Sequence, residues 1–357
     1  MISTVHERPG VYSSYEVSSV LSANAARKTV GVAAAAAKGE TEKVMLLTSY
    51  AQGVEAFGED AEGAPGMEAL LKLLFANGAF GVKAVAVAAA DGTPDYEAAF
   101  ALLNEEEEDV EIIICDSADA AVHALLRTAV ESASNARRER IAVVGGAGET
   151  VAQMIAHAQG INSERVVLVG PDIVTDGGET RSAVFAAAAV AGAIACSADA
   201  STPINGAQLA GIAGVAQRFS DNDIDILVRG GVTPLECVGG VCSPVRGITT
   251  RTKTGSAEDA TWRELTTILV VDDVIPAVRS ALRARFSRSK NTAQARGAIR
   301  SQVVLELEKK LSAELIDSYG EVSVSALESD PTVCLVEFGF TVAHGLNRIY
   351  LTAHITV

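Results

Sequence analysis

The segment Gly145-Gly146-Ala147-Gly148-Glu149 is a glycine-rich turn between an apolar run, Ile141 to Val144, and a helical stretch. In that position, backbone N–H groups and a helix dipole could hold a phosphate. The spacing departs from a dinucleotide fingerprint: Val151 stands where a Gly or Ala would allow close helix packing, and no Lys-Ser/Thr pair follows. A plain strand-to-helix turn fits the same residues. Asp116 closes the run Val110 to Cys115, where α/β enzymes place carboxylates, and with His157 and later serines an Asp, His, Ser order can be assembled. No nucleophile elbow accompanies it. The simpler reading has Asp116 capping the following turn and His157 on a helix surface. The acidic run Glu105 to Asp109 reads as a solvated loop, because adjacent carboxylates there lack the fixed geometry of a metal site. No catalytic, cofactor-binding or metal residue is assigned from these patterns.

The basic segment is more specific. From Arg279 to Arg300 the chain carries Arg279, Arg283, Arg285, Arg288, Lys290, Arg296 and Arg300 without one acidic residue, although its formal charge is −16. Arg279 and Arg283, and again Arg296 and Arg300, are four apart, so they form like-charge pairs on a helix face. Acidic neighbours within the molecule would offset that repulsion; so would docking on an acidic partner.

The elements that carry these residues follow from periodicity. Short apolar runs at Val44 to Leu47, Val82 to Ala88, Val110 to Cys115, Ile141 to Val144, Val166 to Val169 and Ile224 to Val228 read as strands. Helical stretches lie between them at Gly66 to Phe75, Pro94 to Leu103, Ala118 to Asn135, Glu149 to Ala158, Thr180 to Ala195 and Leu209 to Phe219. This alternation predicts an α/β centre with a mostly parallel sheet flanked by helices. A Gly- and Thr-rich stretch from Gly230 to Ser256 has room for a β-ribbon. It is followed by the run Leu265 to Val271, a helix from Asp273 to Ser287, and a long helix from Thr292 to Tyr319 with Ile299, Val303, Leu307, Leu311 and Leu315 on one stripe. Val336, Phe338, Phe340 and Val342 share a face of one further strand, and His344 to Asn347 form a turn before the last.

The expected organisation is an N-terminal arm with the first strand region (1–38), an α/β domain (39–230), a smaller α+β domain (231–345) and a C-terminal arm strand (346–357). The five scattered cysteines suit reduced, buried thiols, although Cys237 and Cys242 are close enough to close a small loop. The acidic balance disfavours binding to nucleic acid or anionic membrane. The apolar stretch Ala183 to Ala195 is too short to span a bilayer, and the N-terminus lacks an apolar signal core, which predicts a cytoplasmic protein.

Both ends of the chain read as β-structure. Near the start stands Arg8-Pro9-Gly10-Val11-Tyr12; at the end Ile349, Leu351, Ala353, Ile355 and Val357 alternate with polar residues. Terminal strands without a partner in their own sheet are templates for pairing with another molecule.

In order along the chain, several motifs together resemble the contractile tail sheath proteins of phage tails and phage-tail-like bacteriocins. They are Arg8 to Tyr12, the helix ending Val190-Ala191-Gly192-Ala193-Ile194-Ala195, Asn205-Gly206, the Leu227 to Val232 turn, and Arg246-Gly247-Ile248-Thr249-Thr250-Arg251-Thr252. Further on stand Trp262, Val271-Asp272-Asp273-Val274-Ile275, Lys290-Asn291 with Arg296, and the terminal strands. The resemblance implies a subtilisin-like α/β domain without protease activity, a C-terminal domain facing an inner tube, and no cofactor. It also implies that the arms, Pro9, Gly10, Val11 and Tyr12 at one end and Ile349 to Val357 at the other, pair with neighbouring subunits. The sheath would be a helical homopolymer of hexameric rings around an acidic tube protein, bounded by baseplate and terminator proteins, assembled in a bacterial host cytoplasm, and driven by contraction. The seven basic residues are then expected to face the tube. The chain differs from the pattern at Val245 to Thr249, which replaces a fuller Gly-Ala-Arg-Thr-Leu form, and it leaves little room for large surface insertions. A cytoplasmic α/β enzyme, nucleotide-binding or hydrolytic, is the alternative that the glycine turn and Asp116 leave open.

Overall fold

The computed structural model describes residues 28–41, 43–90, 93–106, 110–347 and 351–352. The N-terminal half begins with β1 (Val30–Ala34), β2 (Met45–Leu47), α1 (Tyr50–Phe57), α2 (Met67–Ala76) and β3 (Val82–Ala86). A minimal ladder, β4 (Ala89–Ala90) with β5 (Thr93–Pro94), precedes α3 (Tyr96–Glu105), β6 (Ile112–Cys115), α4 (Ala120–Asn135) and β7 (Ile141–Gly145). Next come α5 (Val151–Ile161), β8 (Val166–Gly170), β9 (Ile173–Thr175), β10 (Thr180–Arg181), α6 (Ala183–Cys196) and β11 (Ile212–Val215). They are followed by α7 (Asp221–Arg229), β12 (Val232–Val238), β13 (Val241–Pro244), β14 (Lys253–Thr254) and β15 (Ala257–Glu258). The C-terminal part holds α8 (Leu265–Phe286), α9 (Ala293–Ser312), β16 (Ile316–Tyr319), β17 (Ser323–Leu327), β18 (Asp330–Glu337) and β19 (Phe340–Val342).

Eight strands form one sheet in the order β13-β12-β8-β7-β6-β1-β3-β2. The six inner strands pair in parallel, while β2 and β13 run antiparallel at the two edges. Strands such as β6 and β8 are buried at every position, which is why they read as unbroken apolar runs rather than as alternation. Helices α3, α4 and α5 cover one face, with Phe100, Leu126 and Met154 in its core. The other face packs on α6, which is itself covered by α2, and residues of α8 join the same core. Because α6 is buried nearly all round, it is built of small residues, AVFAAAAVAGAIAC.

Close approach explains two glycines. A Cβ at Gly145 would lie 2.1 Å from the Ala183 carbonyl oxygen, and one at Gly192 would lie 2.8 Å from that of Leu74. The sheet therefore meets α6, and α6 meets α2, at backbone distance.

Several expectations are corrected. Ile224 to Val228 belongs to helix α7, which is started by a reciprocal capping box between Ser220 and Asp223. The helix expected over Leu209 to Phe219 is replaced by β11, antiparallel to β9. Leu265 to Val271 forms the first turns of α8, which continues through Pro276. The long helix stops at Ser312, beyond which Glu314 takes a left-handed φ of 58° and the chain enters β16, so Leu315 lies outside the helical stripe. Val336 and Val342 sit in different two-stranded sheets, β17-β18 and β16-β19, because Phe338-Gly339 breaks the strand.

β1 lies between β6 and β3 in the centre of the large sheet, and β12 and β13 extend it beyond residue 230. Cys237 and Cys242, opposite one another in the β12-β13 hairpin, form a disulfide rather than two free thiols. Among the described residues, no helix is long and apolar enough to cross a membrane.

Candidate functional site

The glycine turn after β7 is closed by its own side chains. The Gly148 N–H donates to Asp172 Oδ2 at 2.9 Å, and Glu149 folds back over Gly146, where a Cβ would meet its carboxylate at 2.3 Å. The first turn of α5 is satisfied by a capping box between Thr150 and Gln153. These contacts engage the Gly148, Thr150 and Gln153 N–H groups and set a carboxylate over the turn where a phosphate would lie.

Asp116 stands at the carboxyl end of β6, as expected, and both its oxygens are engaged. The Ala35 N–H donates to Oδ2 at 2.8 Å and the Tyr96 hydroxyl to Oδ1 at 2.7 Å. Burial raises its carboxyl above the ordinary range, against the opposing pull of these two donors. His157 is buried rather than on a helix surface. Its Nδ1 lies 2.8 Å from Glu149 Oε1, and its Nε2 lies 2.9 Å from Nδ1 of His123. Among the described residues no serine hydroxyl bonds either ring, so the Asp, His, Ser order is not brought together there. Glu106, within the acidic run, pairs with Lys83 at 2.9 Å, and residues 107–109 lie outside the described residues.

The basic segment spans the end of α8, the turn that follows, and α9. Its members differ in what they face. Arg279 is turned inward onto Glu139, with both guanidinium nitrogens on the carboxylate at 3.2 and 2.5 Å, which holds the Glu139 carboxyl below its usual value against the effect of burial. Arg285 bonds Gln302, and Arg296 bonds Asn291 at 3.0 Å. Arg300 approaches Glu321 at 3.7 Å. Arg283, Arg288 and Lys290 are exposed and have no ion pair among the described residues. The basic segment thus divides into Arg279, which is turned onto Glu139, three cations with polar partners near the surface (Arg285, Arg296 and Arg300), and an outward group of Arg283, Arg288 and Lys290.

At the ends, Leu351 is 90% exposed and lies outside any strand. Pro9, Gly10, Val11, Tyr12, Ile349, Ala353, Ile355 and Val357 lie outside the described residues.

A charged seam between the sheet and α8 was not foreseen. Arg165, just before β8, meets Asp272 of α8 through two hydrogen bonds of 2.8 and 3.0 Å. Arg279 and Glu139 continue the row, and Lys310 of α9 bonds Asp273. Beside it, a cavity of about 450 Å³ is lined by Lys28, Glu111, Asp199 and Asp272, among others. Burial lowers the Lys28 ammonium from its usual value, and the surrounding carboxylates oppose that shift. The signal in the sequence is Asp272-Asp273 inside an otherwise apolar helical run, since buried charges need partners.

Comparison with known proteins bears on the whole chain. Residues 89–250 match the family model described as the phage tail sheath protein central domain, and residues 257–356 match that of the phage tail sheath C-terminal domain. A tail sheath protein of Bacillus phage SP01 is 29% identical over 261 residues, which are 71% of this chain and 44% of the relative. The chain therefore spans less than half the length of that protein.

Among solved structures, a sheath tail protein from Desulfitobacterium hafniense matches with a TM-score of 0.69 at 13% identity, over 93% of this chain and all of that one. The anti-feeding prophage helical sheath in its contracted state matches with a TM-score of 0.72 at 15% identity, over 98% of this chain and 99% of the other. A chain of the anti-feeding prophage baseplate matches with a TM-score of 0.73 at 15% identity, over 99% and 100%. At these identities, the structural likeness is one of fold.

Proposed function

The chain belongs to the phage tail sheath family, and from that premise we propose that it is a structural subunit of a contractile tail sheath. The observation that carries this reading is the succession of central and C-terminal sheath domain models along the chain. Fold agreement with a contracted sheath over nearly the whole length supports it.

In this reading the eight-stranded sheet and its helices are the body of the subunit, a subtilisin-like domain that performs no chemistry. Subunits stack as hexameric rings around an inner tube, with baseplate and terminator proteins at the ends. Assembly takes place in the bacterial host cytoplasm, before the sheath becomes part of a phage tail or tail-like particle. Pro9 to Tyr12 and Ile349 to Val357 are strands that neighbouring subunits complete. Main-chain pairing of that kind keeps subunits linked while their other contacts change. The outward cations Arg283, Arg288 and Lys290 hold an acidic tube protein through screened contacts that can be released.

Electron microscopy of the purified protein, alone and with the proteins encoded beside it, tests the assembly. Hollow helical tubes are expected; discrete globular particles under every condition would overturn the reading. Removal of Ile349 to Val357 should leave separate, folded subunits. Sheaths of normal length from the shortened chain would overturn the role given to the arm.

A further inference from the structure

Between α4 and α5 lies a buried polar chain that the assembly reading does not use. His123 of α4 is fully buried and His157 of α5 is 9% exposed. Their rings stack with centroids 4.9 Å apart and an angle of 11° between planes. Three short gaps join four groups in a row. His123 Nε2 is 2.8 Å from the Ser117 carbonyl oxygen, His123 Nδ1 is 2.9 Å from His157 Nε2, and His157 Nδ1 is 2.8 Å from Glu149 Oε1.

Each gap needs one proton. A carbonyl only accepts, so His123 carries hydrogen on Nε2. The nitrogen-to-nitrogen contact holds one proton between the rings, and the carboxylate end holds another. Two neutral imidazoles carry two protons between them, and this row contains three. The extra positive charge is balanced by Glu149. A fourth proton would set two N–H groups against each other at 2.9 Å, and loss of the third would set two lone pairs against each other.

We propose that the Ser117–His123–His157–Glu149 row is an acid-sensitive latch between α4 and α5, closed with three protons and opened by a fourth. The neighbouring groups permit this. On its own helix, His123 is near Asp119, the N-cap of α4, whose side chain accepts from the Ala121 N–H. From the end of β6, the Cys115 thiol approaches the Ser117 carbonyl at 3.8 Å and is pushed up to about 12 by burial, so it stays neutral. Asp116 is engaged by Ala35 and by Tyr96 of α3. From α5 and the turn before it, His157 and Glu149 face the ring. Burial lowers His123 to about 4, and the adjacent His157 acts in the same direction. The proton shared between the rings therefore sits on His157 Nε2, with His123 Nδ1 accepting it.

The sign follows from linkage. With the latch closed, His123 titrates near 4; released, it titrates at its ordinary 6.5. Between these values the open form binds more protons, so closure weakens as pH falls through that window.

The latch needs only the folded subunit, so its test is independent of sheath assembly. Nitrogen-15 spectra of the histidine rings at pH 6.0 should show His123 neutral, with its proton on Nε2 and its Nδ1 accepting. From pH 6.0 to 4.5, amide exchange in α4 and α5, corrected for intrinsic rates, should speed up on the order of 10-fold to 20-fold, with β1 and β7 unaffected. In His123→Asn, which keeps an acceptor for His157 but cannot titrate, the acid response should shrink to about threefold or less. A proton on His123 Nδ1 at pH 6.0, a folded-state titration of His123 near 6.5, or an unchanged acid response in His123→Asn would each overturn the latch. Should that variant fail to fold, the ring titration of the unmodified protein decides.

Discussion

Arg165 and Asp272 stand 107 residues apart in the chain, yet they share two hydrogen bonds of 2.8 and 3.0 Å across the seam between the central sheet and helix α8. Both side chains are largely buried, at 13% and 14% exposure. Burial raises the Asp272 carboxyl above its ordinary value even with the guanidinium beside it. The pair therefore fixes how α8 sits on the sheet more than it adds net stability.

Breaking one half of that pair should cost far more than replacing both. Arg165→Met leaves a buried, unpaired carboxylate and is expected to lower stability by about 3 kcal/mol in urea unfolding at pH 7, whereas Arg165→Met with Asp272→Leu should return to within about 1 kcal/mol of the unmodified protein. The single variant should also recover toward acid pH. Its Asp272 titrates above the unfolded value, so the penalty grows as pH rises through that range and fades as the carboxyl takes up its proton. A double variant as unstable as the single one would refute this account.

The outward and inward cations of the basic segment should separate in experiment. Arg283→Glu with Arg288→Glu changes exposed side chains and should leave unfolding within about 0.5 kcal/mol, while abolishing co-sedimentation with an acidic tube protein at low salt. Arg279→Glu places a second carboxylate against Glu139 and is expected to cost about 2 kcal/mol of stability. If the Arg279 variant were stable and the outward pair were needed for folding, the division between the two groups would be wrong.

How far the fold could be read depends on where each segment lies. Ile112 to Cys115 and Val166 to Val169 were legible because a strand buried on both faces shows itself as an apolar run. Ile224 to Val228 has the same texture, but Asp221, Asp223 and Asp225 place it on a helix surface, and only the Ser220 and Asp223 capping box marks the difference. Leu209 to Phe219 mimics a helix, although Gly211 takes a φ of +84°, which an uninterrupted helix excludes. The segregation of charge between Arg279 and Arg300 was visible; the attachment of Arg279 to Glu139 was not, because their separation of 140 residues is closed only by the tertiary fold. The row of Ser117, His123, Glu149 and His157 was hidden for the same reason. Its members lie on two helices and two turns, and no spacing links them.

The glycines after β7 should respond to packing and backbone conformation, in keeping with a closed turn. Gly145→Ala forces a Cβ onto the Ala183 carbonyl, which cannot move without displacing α6, and should cost about 3 kcal/mol or more. Gly148 has a φ of +63° and open space around it, so Gly148→Ala should cost only about 1 to 2 kcal/mol. Thermal or urea unfolding reads both. A protein indifferent to Gly145→Ala would contradict the backbone contact between the sheet and α6.

The Cys237–Cys242 disulfide closes a short loop, with a sequence separation of 5, at the end of a hairpin that is already paired. Loop-closure entropy grows with the length enclosed, so a loop of this size adds about 2 kcal/mol at most. Leu235 and Cys242 are buried against the large core, and the Leu209 N–H bonds the Cys242 carbonyl at 2.9 Å, contacts that do not depend on the sulfur bond. Cys237→Ser with Cys242→Ser should therefore fold, with urea unfolding lowered by about 2 kcal/mol or less and exchange accelerated chiefly at Val238 to Val241. Global unfolding of the double variant at neutral pH would show that the hairpin needs its covalent link to hold the edge of the sheet.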